Sequence, residues 1–154
     1  MLAAAFLALQ LQATASAPRV VDGHGAPTVT IPRLADGIVV DGRLDEPQWR
    51  DAVRLTEFSQ YGPVDGRPAE ERTEVLVFYG PKAIHFGIIA WAKDPSSIRA
   101  AVSDRDNINN DDRVTIYLDT FNDQRRAFFF AVNPFSVQAD GVRTEGASDR
   151  KSVV

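Results

Sequence analysis

Between positions 73 and 142 the chain is mainly a series of short β-type runs closed by turn residues, with 96–102 either the start of a helical turn or an irregular crossing. Residues 73–79 (Thr-Glu-Val-Leu-Val-Phe-Tyr) and 83–92 (Ala-Ile-His-Phe-Gly-Ile-Ile-Ala-Trp-Ala) are rich in β-branched and aromatic side chains. Gly80-Pro81-Lys82 separates them, so the spacing predicts a hairpin. Both faces of that hairpin are apolar, as in an inner strand pair. Residues 113–120 alternate, with Val114, Ile116 and Leu118 on one face and Thr115, Tyr117 and Asp119 on the other. Residues 125–132 hold Phe128, Phe129 and Phe130 in succession, Asn133-Pro134 ends the run, and 137–142 is predicted as a last strand. Upstream, 29–31, 38–40 and 55–58 are shorter strand candidates, and the closely spaced breakers Gly62-Pro63, Asp65-Gly66 and Pro68 make 59–69 a loop. Seven or eight strands with almost no helix predict an all-β fold, an antiparallel β-sandwich of jelly-roll or immunoglobulin-like type. No run that would close a sheet follows Asp140-Gly141, so the sandwich is expected to lack its C-terminal strands, with 147–154 an irregular tail.

Ahead of the hairpin, residues 39–49 (Val-Val-Asp-Gly-Arg-Leu-Asp-Glu-Pro-Gln-Trp) read as a strand end, a tight turn and a short helix. Asp41-Gly42 supplies turn chemistry, since glycine tolerates positive φ and aspartate bonds the backbone nearby. Asp45 is the expected N-cap, Glu46 stands in the first turn and Pro47 is preset to helical φ. Trp49 is expected to anchor core rather than face a ligand.

With 154 residues, 44% of them hydrophobic, the chain suffices for one ordinary domain. A formal charge of -4 argues against a nucleic-acid surface. The absence of cysteine excludes disulfides, cysteine-ligated zinc and a cysteine nucleophile. Residues 2–11 are apolar apart from Gln10, and Ala13, Ala15 and Ala17 alternate behind them, the pattern of a secretory leader and its cleavage site. Residues 1–17 are therefore expected to be a signal peptide and 18–30 a linker, with the mature chain working outside the cytoplasm.

Candidate chemistry is sparse. Trp91 stands at a strand end, where an aromatic face can stack on a sugar ring while Asp, Asn and Arg nearby bond the hydroxyls; core or rim packing is the competing role. The loop containing Asp104, Asp106, Asn107, Asn109, Asn110, Asp111 and Asp112 offers the oxygen donors that calcium needs. Its spacing opens like a calcium loop, with Asp104, Asp106 and Asn109 as ligands, but it has no glycine at the sixth position and Thr115 in place of the glutamate at the twelfth. A solvated loop whose side chains cap turns is the alternative. The two histidines, His24 and His85, lie in the linker and in an apolar run, and no nucleophile elbow or phosphate loop accompanies them, so no catalytic set is assigned.

Five segments in order resemble the carbohydrate-binding family 9-like domain: 40–49, Glu71-Arg72-Thr73-Glu74-Val75, 111–123, Phe130-Ala131-Val132-Asn133-Pro134 and Gln138-Ala139-Asp140-Gly141. More narrowly, the chain looks like the version of that domain at the N-terminus of large exported bacterial proteins, ahead of a barrel-like domain of unknown function. The match covers 31–146. The resemblance implies a jelly-roll-like sandwich, a poly- or oligosaccharide ligand, a covalently linked C-terminal domain, and a periplasmic or outer-membrane location in a Gram-negative bacterium. Trp91 is then the stacking surface, and Asp112, Arg113 and Asn133 are the hydrogen-bonding candidates. The other roles considered are a structural domain of an outer-membrane barrel protein that binds no sugar, and an accessory module of a glycoside hydrolase.

Overall fold

The computed structural model describes residues 20–21, 27–60 and 66–144. The expected leader over 1–17 and tail over 147–154 lie outside the described residues, as do parts of the linker and of the 59–69 loop. The described chain is mostly β and divides into two compact units at Trp91 and Ala92. No described helix is long and apolar enough to cross a membrane.

In the first unit, β1 (Val20–Val21) and β2 (Pro27–Thr28) form a small antiparallel pair. A short helix, α1 (Gln48–Asp51), leads into β3 (Val53–Leu55), β4 (Thr73–Tyr79) and β5 (Ile84–Ala90), which make an antiparallel sheet in that order. The hairpin turn closes where Gly80 N–H donates to the Ala83 carbonyl at 2.8 Å. Opposite partners put Leu76 beside Gly87 and Phe78 beside His85, all on one face of the sheet. That face is covered by Trp49, which is 6% exposed and meets Phe78 edge-on at 5.1 Å. Leu34, Ile38, Leu44 and Ala52 complete the cluster. The other face carries Val53, Val75, Val77, Phe86 and Ile88 and is apolar between Thr73 and Tyr79.

The covering segment is fixed by its own side chains. Asp41 accepts from Arg43 N–H at 2.9 Å, and Gly42 takes φ 82°, as the Asp-Gly pair predicts. Glu46 then accepts from Val39 N–H at 2.9 Å with one oxygen and from the Trp49 indole N–H at 2.8 Å with the other. This replaces the predicted cap: Pro47 is the N-cap of α1, no side chain caps it, and Asp45 is drawn to an ion pair with Arg43. In a helix of four residues, bridging the entering chain to the tryptophan satisfies more donors than a cap at Asp45 could. Gln48 adds a bond from its amide to the Asp36 carbonyl at 3.3 Å.

The earliest strand candidates shift. Residues 38–40 are not a strand, because they belong to the segment laid over the sheet. Nor are 29–31; pairing comes slightly later, where Arg33 bridges Tyr79 in parallel and Leu34 N–H donates to the Tyr79 carbonyl.

In the second unit, a 3₁₀ turn at Pro95–Ser97 precedes β6 (Val114–Leu118), β7 (Arg126–Val132) and β8 (Gln138–Thr144), an antiparallel sheet in that order. The three phenylalanines divide by strand alternation. Phe129 joins Ala131, Ala139, Val137 and the fully buried Ile108 in the core. Phe128 and Phe130 stand on the opposite face with Ile116, Leu118 and Val142. Asp119 shapes the β6–β7 turn, accepting from Phe121 N–H at 3.1 Å and Gln124 N–H at 2.8 Å.

Gly87 is required by this packing. A Cβ there would meet Leu44 Cδ2 at 2.8 Å and Trp49 Cζ3 at 2.9 Å. Gly87→Ala is expected to destabilise by about 1–3 kcal/mol through overpacking, whereas Ala generally stabilises a strand over Gly; chemical denaturation followed by circular dichroism measures it.

Candidate functional site

The covered face of the first sheet changes character along its length. From Phe78 and Leu76 it passes to Glu74 and ends where Arg72 stands opposite Trp91, whose N–H donates to the Arg72 carbonyl at 2.9 Å. Glu74 is buried, and its two oxygens are taken by the guanidinium groups of Arg54 and Arg72. The Arg72 guanidinium also lies over the Trp91 ring, 4.3 Å from its centroid. A buried carboxylate therefore orients an arginine on the ring of Trp91, a residue that remains 40% exposed. The hydrogen bond from Arg72 lowers the Glu74 pKa against the opposing effect of burial, with the Arg54 charge adding to it.

Arg72 also borders a cleft of about 530 Å³. One wall is the chain beyond β3, where Ser59 bridges Pro68 and Ala69 N–H donates to the Phe58 carbonyl at 2.9 Å. Thr56, Glu57 and Phe58 line that wall, and Glu71, Arg72 and Thr73 line the other. The β3–β4 ladder stops at Leu55, and Glu57 takes φ 58°, so the chain turns out of register before Phe58. Phe58 is 40% exposed.

Of the predicted sugar contacts, Trp91 belongs to the first unit and Asp112, Arg113 and Asn133 to the second. Those three gather around one strand end, but each serves the chain itself. The Asn133 side chain is buried with its hydrogen-bonding capacity filled. Its amide donates to the Ala101 carbonyl at 2.9 Å and to Asp111 at 2.7 Å, and its oxygen accepts from Phe135 N–H and Val137 N–H, both at 2.9 Å. Asp112 accepts from Arg99 N–H at 2.8 Å, and Arg113 donates to the Ile108 and Asn109 carbonyls, both at 2.8 Å.

The acidic loop is held along the outer edge of β8. Asp106 N–H donates to the Gln138 carbonyl at 2.9 Å, and the Asp106 carboxylate accepts from Asp140 N–H at 3.2 Å. Arg105 pairs with Asp140, and Ile108 inserts into the core. Asp104 contributes its backbone carbonyl to Asn107 N–H, and the Asn109 carbonyl accepts from Arg113. Among the described residues, no group of three or more acidic or histidine side chains gathers where one cation could sit. The loop thus supplies an edge cover and a core plug.

Arg54, Phe58, Arg72 and Glu74 were not singled out from the sequence as site residues. A signal for two of them existed: Arg72 and Glu74 are two apart in a strand, hence on one face, and Glu74 is a charge inside an apolar run. Nothing in the sequence marks Phe58. No family model matches the chain, and neither does a curated protein or a solved structure at a significant level.

The lowered pKa values set a direction for acid sensitivity. Glu46, through its bonds from Val39 N–H and Trp49, and Glu74, through Arg72 and Arg54, both titrate below the ordinary value of 4.5. Their stabilisation is complete above that value and is lost as pH falls through the lowered folded values. Thermal melting is therefore expected to drop on acidification below pH 4.5. Glu74→Gln should melt lower than the parent at pH 7, the gap should narrow at pH 3, and parallel Tm–pH curves would show that Glu74 contributes nothing to the dependence.

Proposed function

We propose that the chain is a carbohydrate-binding, non-catalytic module of an exported bacterial envelope protein, folded as a β-sandwich of jelly-roll type. The sandwich reading is supported by apolar faces on both three-stranded sheets, around Val77 and Phe86 in one and Phe128 and Phe130 in the other, since such faces call for a second layer. Export is supported by the leader-like N-terminus and by the resemblance to the family 9-like domain. In that reading a further domain follows in the parent protein, either a barrel or a glycoside hydrolase that carries the catalysis.

The observation that carries the function is the end of the first sheet. Trp91 is exposed there, and a guanidinium is held on it by the buried Glu74. A guanidinium fork held in one orientation over that indole offers N–H donors to sugar hydroxyls at little cost in side-chain freedom. The second reading, a structural domain of an outer-membrane barrel protein, draws support from Asp112, Arg113 and Asn133, whose hydrogen bonds are spent on their own loops.

Titration against glucans, xylans and their oligomers, followed by tryptophan fluorescence, separates the two. The carbohydrate reading expects a saturable change that Trp91→Ala abolishes. No response to any glycan favours the structural domain.

A further inference from the structure

We propose that the cleft between Phe58 and Arg72 is the ligand site of the first unit, that Phe58 is its stacking ring, and that it takes an uncharged oligosaccharide. This rests on the carbohydrate-binding reading and assigns it a place that the sequence did not mark. The Arg72 guanidinium already lies on Trp91, so the ring face beneath it is occupied. Phe58 lines the cleft, and its exposure leaves aromatic surface for a ligand. The cleft volume, about 530 Å³, falls within the roughly 300–1,000 Å³ typical of small-molecule sites.

Arg72 is the oriented donor of the site. Its guanidinium is held by Glu74 and rests on Trp91, so little side-chain freedom is lost when a ligand hydroxyl binds. Glu74 acts through Arg72 as a positioning residue. The charge of the lining selects the ligand. Glu57, Glu71 and Arg72 put groups of both signs on the walls, so a ligand of either charge would meet one of its own sign. A cation would meet the arginine. A neutral polyol bonds both kinds of group and carries no such penalty.

The test is NMR titration of the ¹⁵N-labelled full chain with cellotetraose, xylotetraose and tetragalacturonate. A neutral probe is expected to saturate and to shift the amides of Thr56, Phe58 and Thr73. Phe58→Ala should weaken Kd about tenfold, the scale of one lost aromatic contact, and Phe58→Tyr should restore it. Arg72→Gln should weaken the same probe. Because shift mapping uses the parent chain, it decides the location even if Phe58→Ala folds poorly. Neutral-probe binding that leaves those three amides unmoved, or that Phe58→Ala does not weaken, overturns this site and leaves the carbohydrate reading standing. Tighter binding of tetragalacturonate overturns the uncharged ligand. Binding of none of the three, with no fluorescence response to any glycan, overturns both readings.

Discussion

The first unit depends on one seat: the Trp49 indole resting over Gly87, with Glu46 tying its N–H to the backbone of Val39. The seat needs all three parts. Any larger residue at 87 would collide with the ring, and without the carboxylate the indole N–H and the Val39 N–H would both seek other partners. Burial of the indole supplies most of the energy, since truncating a buried tryptophan typically costs about 3–5 kcal/mol. The ionic and hydrogen-bonded parts chiefly select one arrangement of a chain that has almost no helix of its own to define it.

That seat also divides the sheet face. On one side of Gly87, Phe78 and His85 stack at 4.6 Å under the covering segment. On the other, the covering segment ends, and Glu74 enters a polar cluster with Arg54 and Arg72 that terminates at Trp91. A buried carboxylate is tolerated there because two guanidinium groups satisfy it. Structural packing and candidate binding chemistry thus occupy successive stretches of a single face of β4 and β5. The second unit solves a different problem, the open edge of β8. Its acidic loop bonds that edge and drives Ile108 into the core, while Asn133 joins Ala101, Asp111 of that loop and the turn after β7 in one hydrogen-bonded node.

Much of this was legible from residue pattern. Strands β4 to β8 fall within a residue or two of where alternation and turn chemistry place them, because period two and Gly, Pro, Asn and Asp punctuation are local properties. The burial of Trp49 was legible for the same reason. What residue pattern does not carry is chemistry decided by distant partners. Asp45 looks like a cap, yet Glu46 matters more, because Val39 and Trp49 converge on it. Asn133 looks like a ligand contact at a strand end, yet it bonds Ala101, 32 positions earlier. Strand pairing sets Arg72 across from Trp91, and nothing local to either residue announces that the guanidinium will cover the ring.

The claim that the Trp49 seat holds the first sheet together is tested most directly by amide hydrogen exchange on Glu46→Ala. If the seat organises that sheet, protection falls along Thr73–Tyr79 and Ile84–Ala90 as well as around α1. Loss of protection confined to residues 39–51, with both strands exchanging as in the parent chain, would contradict it.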